Sequence, residues 1–502
     1  MLSKSKYVAG LQCLKRLWLL KNKAELVDAV SESTQARFDA GNRIGELAQS
    51  LFPDGEMMTF PKNGNFGPMI AKTKELLTKG ASVIYEAAFS EEGVLVLCDI
   101  LLKTENGYDC YEIKSSTKVK SYHLHDAAIQ NYVLLKAGLP IDRMFVMTLN
   151  PNYYMDGQGL NLEELFVSHD VSDQILERQS EIPSQISSMK TALASQKEPL
   201  EKIGPHCNDP FPCEFKNYCW PTLPQPNVFN IPRIGNRAWA LYNAGKVSFK
   251  DLDSQDLSLK QGKYVEGQMQ GLEKLNKPKL KAWLSDLDFP LYFLDFETIM
   301  PPLPLYPKTR PYQPHLAVQY SLHVLKEPNG ELLHYEFLPD FGRDFRSELA
   351  HSLIENLDEN GTILAYNQGF EKACIKRLID WNQDLDQELQ AILSRFQDLI
   401  VPFRKAWYYK PAMQGSNSIK SVYPALLPNS ELQYSGLSIS NGDQATRALL
   451  ELAESGINPE EPSCKSIKQD LLAYCKLDTL AMVKIYQHLL EEVSDAAKAS
   501  LV

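Results

Sequence analysis

Three groups of residues have the types and spacing to do chemistry. In the first, Asp99 interrupts the apolar run GVLVLCDILL, and Glu112 and Lys114 follow in YDCYEIK. Positions i and i+2 of a strand share a face, so Glu112 and Lys114 point the same way. Asn106-Gly107 between the two runs is a hairpin signal, and a hairpin closed there brings Asp99 close to Glu112. Two carboxylates at close range suit a hard cation such as Mg²⁺ or Mn²⁺. With a lysine beside them to orient water or meet a phosphate, such a site can hydrolyse a phosphodiester. The plainer alternative is an exposed hairpin with a surface Glu–Lys pair. Asp99 argues against it, because an acid inside an apolar run is costly unless paired or metal-bound.

The second group lies in the C-terminal half. LYFLDFET puts Asp295 and Glu297 on one face at the end of an apolar strand, with Phe296 on the other. LLAYCKLDTLAMVKIYQHL reads as an amphipathic helix with Tyr474 and Asp478 at i and i+4, hence on one face. Alone, that pair reads as an ordinary polar helix face. Between the two, TILAYNQGFEKACIKRL supplies Glu371, with Asp398 further on as a second candidate acid.

The third group is Cys207, Cys213 and Cys219 in GPHCNDPFPCEFKNYCW. Three sulfurs are one short of a tetrahedral site and odd in number for disulfides. His206 would complete a Cys₃His zinc site, which is chemically ordinary. Cys98, Cys110, Cys374, Cys464 and Cys475 are scattered and read mostly as buried apolar thiols.

The elements that position these residues fall in a chain of 502 residues, too long for one ordinary core. Helices are expected to about residue 50, strands over 83–114, a helix in HDAAIQNYVLLKAG, a strand in RMFVMTL and polar helices over 171–202. The four prolines of PTLPQPNVFNIPRIG mark a boundary, followed by a short helical module, and a second α/β region opens at Pro290. No run approaches a membrane span, and no signal peptide is read at the N-terminus, which favours the cytosol, where clustered cysteines more often bind metal. The net charge of −11 argues against non-specific affinity for nucleic acid over the whole surface, but not against a local basic cleft. Two stretches qualify: residues 403–420, where basic and aromatic residues interleave, and the lysine-rich 260–281. Either reads equally as a solvated helix face or loop. Lys420 is a candidate substrate contact.

The Asp99, Glu112 and Lys114 segment resembles the PD-(D/E)XK nucleases, and within them the RecB-like branch. GNRIGELAQSLFP resembles the upstream helix of that branch and implies Glu46 as a metal ligand. IYEAAF implies Glu86 on the strand before the hairpin. AIQNYVLL resembles the helix that follows the lysine and implies Gln130 and Tyr132 at the substrate. The branch contains members with a 4Fe-4S cluster held by one N-terminal cysteine and three C-terminal ones. The implied ligand set here is Cys13, Cys207, Cys213 and Cys219, with a structural role and Zn²⁺ as the alternative. The five-residue gaps are wider than the commoner pattern of the branch.

The opening acids of the second group resemble those of the RNase H-like 3′–5′ exonucleases, and Tyr474-x-x-x-Asp478 resembles their DEDDy motif. The resemblance implies Asp295, Glu297, Glu371 and Asp478 as metal ligands, Tyr474 as the group that positions the attacking water, and two-metal displacement. The usual middle acid is Asp, where this chain has Glu371, and Mg²⁺ geometry is strict.

The whole therefore resembles bacterial proteins that fuse these two domains. The expectation is a multidomain α/β chain. Residues 1–222 form a restriction-endonuclease-like PD-(D/E)XK domain, 223–286 a helical linker that weakly resembles a helix-hairpin-helix pair, and 287–502 an RNase H-like domain. The expected activity is a cytoplasmic, Mg²⁺- or Mn²⁺-dependent nuclease whose partner is nucleic acid, DNA before RNA, with no membrane and an unspecified helicase, repair or defence partner. The alternatives are that one centre is an inactive binding platform, or that the chain is a non-catalytic scaffold.

Overall fold

The computed structural model describes residues 2–28, 32–430, 438–455 and 461–494. The chain is mixed α/β. It divides into two compact units, Met1–Thr222 with Pro302–Tyr312, and Leu223–Pro301 with Gln313–Val502. Residues 223–286, expected as a separate linker, thus belong to the second unit. The reason is local: the two-residue strand β8 (Lys274–Leu275) pairs with β14 (Tyr408–Tyr409), and the Asn276 N–H donates to the Trp407 carbonyl at 2.7 Å. The proline-rich segment Pro302–Tyr312, expected with the C-terminal domain, folds instead with the first unit. Leu303 is buried in that core, and Lys308 and Thr309 bond the backbone of Met155. No helix among the described residues is long and apolar enough to cross a membrane.

The first unit is built on a seven-stranded sheet. Its strands are β1 (Leu2–Ser3), β2 (Glu56–Met57), β3 (Val83–Glu91), β4 (Val94–Lys103), β5 (Tyr108–Lys114), β6 (Ile141–Leu149) and β7 (Phe166–Asp170). The path runs β2-β3-β4-β5-β6-β7, with β1 parallel to β4. Strands β3, β4 and β5 form an antiparallel meander. The first turn uses Glu92 and Gly93, both at positive φ. In the second, the Thr104 N–H donates to the Gly107 carbonyl at 2.9 Å. Strands β5 and β6 are parallel, which requires a crossover, and helix α5 (Ser121–Lys136) supplies it. Its run Ala127–Leu134 is buried throughout and packs on the sheet beside Val96 and Leu101. The other sheet face carries Ile44, Tyr85, Ile100 and Phe145. Helices α1 (Lys4–Gln12) and α2 (Leu14–Asn22) open the chain, and α3 (Glu32–Gln49) and α4 (Gly67–Lys79) follow.

The second unit carries a five-stranded sheet: β9 (Leu291–Ile299), β10 (Leu316–Leu325), β11 (Leu332–Phe337), β12 (Thr362–Ala365) and β13 (Phe396–Asp398), in the order β11-β10-β9-β12-β13. The first three are antiparallel, whereas β12 runs parallel to both β9 and β13. All of β10 is buried, as expected for a strand flanked on both edges and covered on both faces. The long helix Pro462–Val493 packs against β9 and β10 and brings Tyr474 and Asp478 to the end of β9.

Candidate metal centres

In the first unit three carboxylates stand on adjacent strands. The register pairs Tyr85 with Ile100 and Ala87 with Cys98, which sets Glu86 opposite Asp99. The last pair between β4 and β5, Ile100 with Tyr111, puts Asp99 beside Glu112. The Ile113 N–H donates to Asp99 Oδ2 at 2.6 Å. Glu86 has a φ of 58° inside a strand, a left-handed conformation. Such strain costs on the order of 1–3 kcal/mol and persists only where the surroundings enforce it. Burial raises the Glu86 carboxyl to about 8, and the Asp99 charge adds to the effect. Burial likewise raises Asp99 to about 6, with repulsion from Glu112 and partial relief from Lys4.

Glu112 moves the other way. Burial opposes its charge, but Lys114 and Lys4 together hold it down at about 2. Lys114 Nζ donates to Glu112 Oε1 at 2.7 Å and to Asp126 Oδ2 at 2.5 Å. Lys4 Nζ donates to both Glu112 oxygens, at 2.6 and 2.7 Å. Gln130 Nε2 donates to Glu112 Oε2. Sequence reasoning missed Lys4 and Asp126. Asp126 lies one helical turn before Gln130 on α5, so the i, i+4 spacing was a usable signal. Lys4 is 108 residues from Glu112 and had none.

Three residues expected at this centre stand elsewhere or act otherwise. Glu46 is exposed on α3, and it is not among the leading charges acting on Glu86, Asp99 or Glu112. Gln130, expected at the substrate, is fully buried. Its amide is committed to Glu112 and to the Leu97 carbonyl, so it orients the acid instead. Tyr132, also expected at the substrate, is buried with its hydroxyl donating to Glu92 at 3.0 Å.

Cys13, Cys207, Cys213 and Cys219 line one small pocket, together with His206. Cys13 sits at the junction of α1 and α2, and Cys207 ends a short turn, Pro205–Cys207. The two parts of the chain are laced together there. Gln12 donates to the carbonyls of His206 and Phe211 at 2.6 and 2.8 Å, and Arg16 grips both oxygens of Glu214 at 2.8 and 3.1 Å. Burial raises the thiols of Cys13 and Cys219, and that of Cys213 to about 11. No three of these ligand atoms lie within 4.8 Å of one another; among the described residues only Asp295, Glu297 and Cys475 do so.

In the second unit Asp295 and Glu297 project from β9 beside Asp478 and Tyr474. Burial raises Asp295 well above the usual carboxylate range, and Asp478, Glu297 and Glu371 all repel it. Burial and then Asp478 raise Glu297 to about 8, with Lys420 partly offsetting them. Burial raises Glu371 to about 8 as well. Glu371 stands in the first turn of helix Gly369–Trp381, which starts after Asn367 turns the chain at a φ of 73°. Glu371 Oε2 is buried without a hydrogen-bond partner. Asp398, the other candidate, is committed elsewhere. Its Oδ1 accepts from the Asn367 and Ile400 N–H groups at 2.9 and 3.3 Å, and its Oδ2 from Arg404 at 3.0 Å. Asp398 thus fixes the turn, and Glu371 is the acid that joins the cluster. Its orphaned oxygen and the neighbouring acids Asp295 and Glu297 fit a divalent cation.

Tyr474 is buried, and its hydroxyl hydrogen-bonds Asp478. The exposed Lys420 places its ammonium 6.0 Å from the Tyr474 ring centroid. Cys475, read from sequence as a plain buried thiol, lies within the acid group with its Sγ 3.9 Å from Asp295 Oδ2. The 403–420 stretch differs from the expected stacking platform. Phe403 and Tyr408 are buried, and Tyr408 bonds His488 and Glu492, each at 3.0 Å, so these two rings are not open to a base, whereas Trp407 and Tyr409 are half-buried. The lysines at 260, 263, 274, 277, 279 and 281 are exposed.

Residues 292–418 match the model of a family described as a domain of unknown function, DUF2779. The match includes Asp295, Glu297 and Glu371 and ends before Tyr474 and Asp478. No curated protein and no solved structure matches the chain.

Proposed function

We propose that this protein is a metal-dependent nuclease with two hydrolytic centres acting on nucleic acid, DNA before RNA. The observation that carries the reading is the convergence of Asp295, Glu297, Glu371 and Asp478. Asp478, Glu297 and Glu371 all repel Asp295, Asp478 repels Glu297, and Glu371 Oε2 is buried and unsatisfied. Such a set is stable when ionised only with a cation among them. The sheet order β11-β10-β9-β12-β13, with its mixture of antiparallel and parallel pairs, supports an RNase H-like fold for the second unit. The β3-β4-β5 meander followed by a helix and the parallel β6 supports a PD-(D/E)XK fold for the first.

A divalent ion at either centre would supply a Lewis acid and lower the pKa of bound water. At the second centre Tyr474 orients the attacking water through its hydroxyl, itself held by Asp478. Lys420 offers a positive charge at the exposed side for a phosphate. At the first centre Lys114, steadied by Asp126, faces the scissile phosphate, and Gln130 fixes the Glu112 carboxylate. Cys13, Cys207, Cys213 and Cys219 would hold a structural 4Fe-4S cluster, which would tie α1 and α2 to the end of the unit. The test is cleavage of labelled single- and double-stranded DNA and RNA, with Mg²⁺ or Mn²⁺ added or chelated.

A second reading has one observation in its favour. Glu112 is already neutralised by two lysines, so the first centre could serve as a binding platform while only the second cuts. Separate Glu112→Ala and Asp295→Ala variants distinguish the two. Independent centres leave each single variant with part of the activity, whereas the platform reading leaves Asp295→Ala with none.

A further inference from the structure

Glu112 has no free side. A carboxylate offers about four lone-pair positions. Lys4 bonds both oxygens, at 2.6 and 2.7 Å, Lys114 bonds Oε1 at 2.7 Å, and Gln130 bonds Oε2. Any cation that binds Glu112 must displace one of these donors. They are not equally held. Lys114 is anchored a second time by Asp126 at 2.5 Å, and Gln130 by the Leu97 carbonyl at 3.3 Å. Among the described residues Lys4 Nζ has no hydrogen-bond partner except Glu112. Its backbone is pinned, because Leu2 and Ser3 pair with Val94 and Leu95, and Ser3 caps α1. Beyond Glu112 the ammonium has no second anchor, the four-carbon stem is flexible, and 21 % of the side chain reaches solvent.

We propose that Lys4 is a tethered cation that fills the cation position of the Glu112 centre and yields it to a divalent ion, thereby setting the metal affinity of that centre. The inference rests on the reading of Asp99 and Glu112 as metal ligands. Lys4 adds to Lys114 in compensating the buried Glu112 charge while no metal is bound. It also prevents weak or adventitious occupancy, because an incoming ion must outcompete an ammonium already in place. Removing the ammonium leaves Glu112 with Lys114 and Gln130 as its donors and loses the Lys4 charge that offset its burial. A divalent ion recovers part of that loss on binding.

The test is Mn²⁺ titration of the full chain, followed by electron paramagnetic resonance, in an Asp295→Asn background that weakens the second centre. Lys4→Met in that background is expected to bind Mn²⁺ at least roughly tenfold more tightly at the first centre. Equal or weaker binding would overturn the proposal and leave Lys4 a fixed structural partner. Adding Glu112→Gln separates the two levels of failure. If it changes no Mn²⁺ site in either protein, the metal-centre reading itself falls, and the proposal with it. A second measurement needs no variant: acetic anhydride labelling of the wild-type chain, read at Lys4 by peptide mass spectrometry. Labelling of Lys4 is expected to rise when Mn²⁺ is added, and labelling unchanged by saturating Mn²⁺ would contradict displacement.

Discussion

Glu371→Gln isolates the electrostatic cost of the second acid cluster. Burial holds the Glu371 carboxyl at about 8 in the folded chain, against an ordinary value of 4.5. The folded pKa is raised, so the folded state keeps a proton that the unfolded chain has lost. The stability this lends is complete below about pH 4.5 and disappears as pH rises to about 8. At about 1.36 kcal/mol per unit, wild-type protein loses about 3 kcal/mol from this group alone between about pH 5 and about pH 8. Glu371→Gln carries no titrating proton and does not lose it. The amide introduces its own packing and hydrogen-bond cost, but that cost is the same at both pH values. The readout is therefore the change with pH, not the difference at one pH. At about 2–4 °C per kcal/mol, the second unit's Tm should move by roughly 6–12 °C in favour of the variant on going from about pH 5 to about pH 8 in chelator. Saturating Mn²⁺ should flatten the wild-type pH dependence, because a cation beside the carboxylate makes its ionised form the stable one. A wild-type minus variant difference that stays constant across this pH range would refute the electrostatic reasoning.

Three further outcomes are expected. Tyr474→Phe deletes the hydroxyl bonded to Asp478 and should slow cleavage at the second centre by roughly a hundredfold with little change in Tm, as measured by single-turnover assay and thermal unfolding. Cys213→Ser should lower the iron content and visible absorbance of anaerobically purified protein and lower the first unit's unfolding temperature. Stoichiometric zinc with no iron in the wild type would sink the cluster assignment. Glu86→Gly relieves both a left-handed φ of 58° and a buried carboxyl raised to about 8. It should raise stability by about 1 kcal/mol in urea unfolding despite the usual cost of glycine in a strand, and it should reduce cleavage at the first centre.

Features governed by local spacing were legible in the sequence. The Asn106-Gly107 turn fixes the β4–β5 register, so the approach of Asp99 to Glu112 followed from counting residues. The i and i+4 placement of Tyr474 and Asp478 followed from helical periodicity. Other features depend on contacts between distant segments, for which a single sequence carries no period. Lys4 reaches Glu112 because a two-residue strand at the N-terminus docks on β4, and two residues show no alternation to read. The sequence ranked Glu371 ahead of Asp398 on the resemblance of its segment alone. Only the Arg404 and backbone partners of Asp398 show that its lone pairs are taken. The aromatic residues near 403–410 looked like a stacking surface because composition does not reveal which face a ring buries. The placement of Pro302–Tyr312 in the first unit was equally hidden, since it rests on backbone bonds to Met155, some 150 residues earlier in the chain.

The central claim is tested most directly by one measurement: cleavage of end-labelled DNA and RNA by the wild-type chain and by the Glu112→Ala, Asp295→Ala double variant, in Mn²⁺ and in chelator. The account predicts cleavage by the wild type in Mn²⁺, none in chelator, and none by a folded double variant in either. Cleavage that survives the double substitution, or binding of strands by the wild type with no cleavage in Mn²⁺ or Mg²⁺, would contradict it.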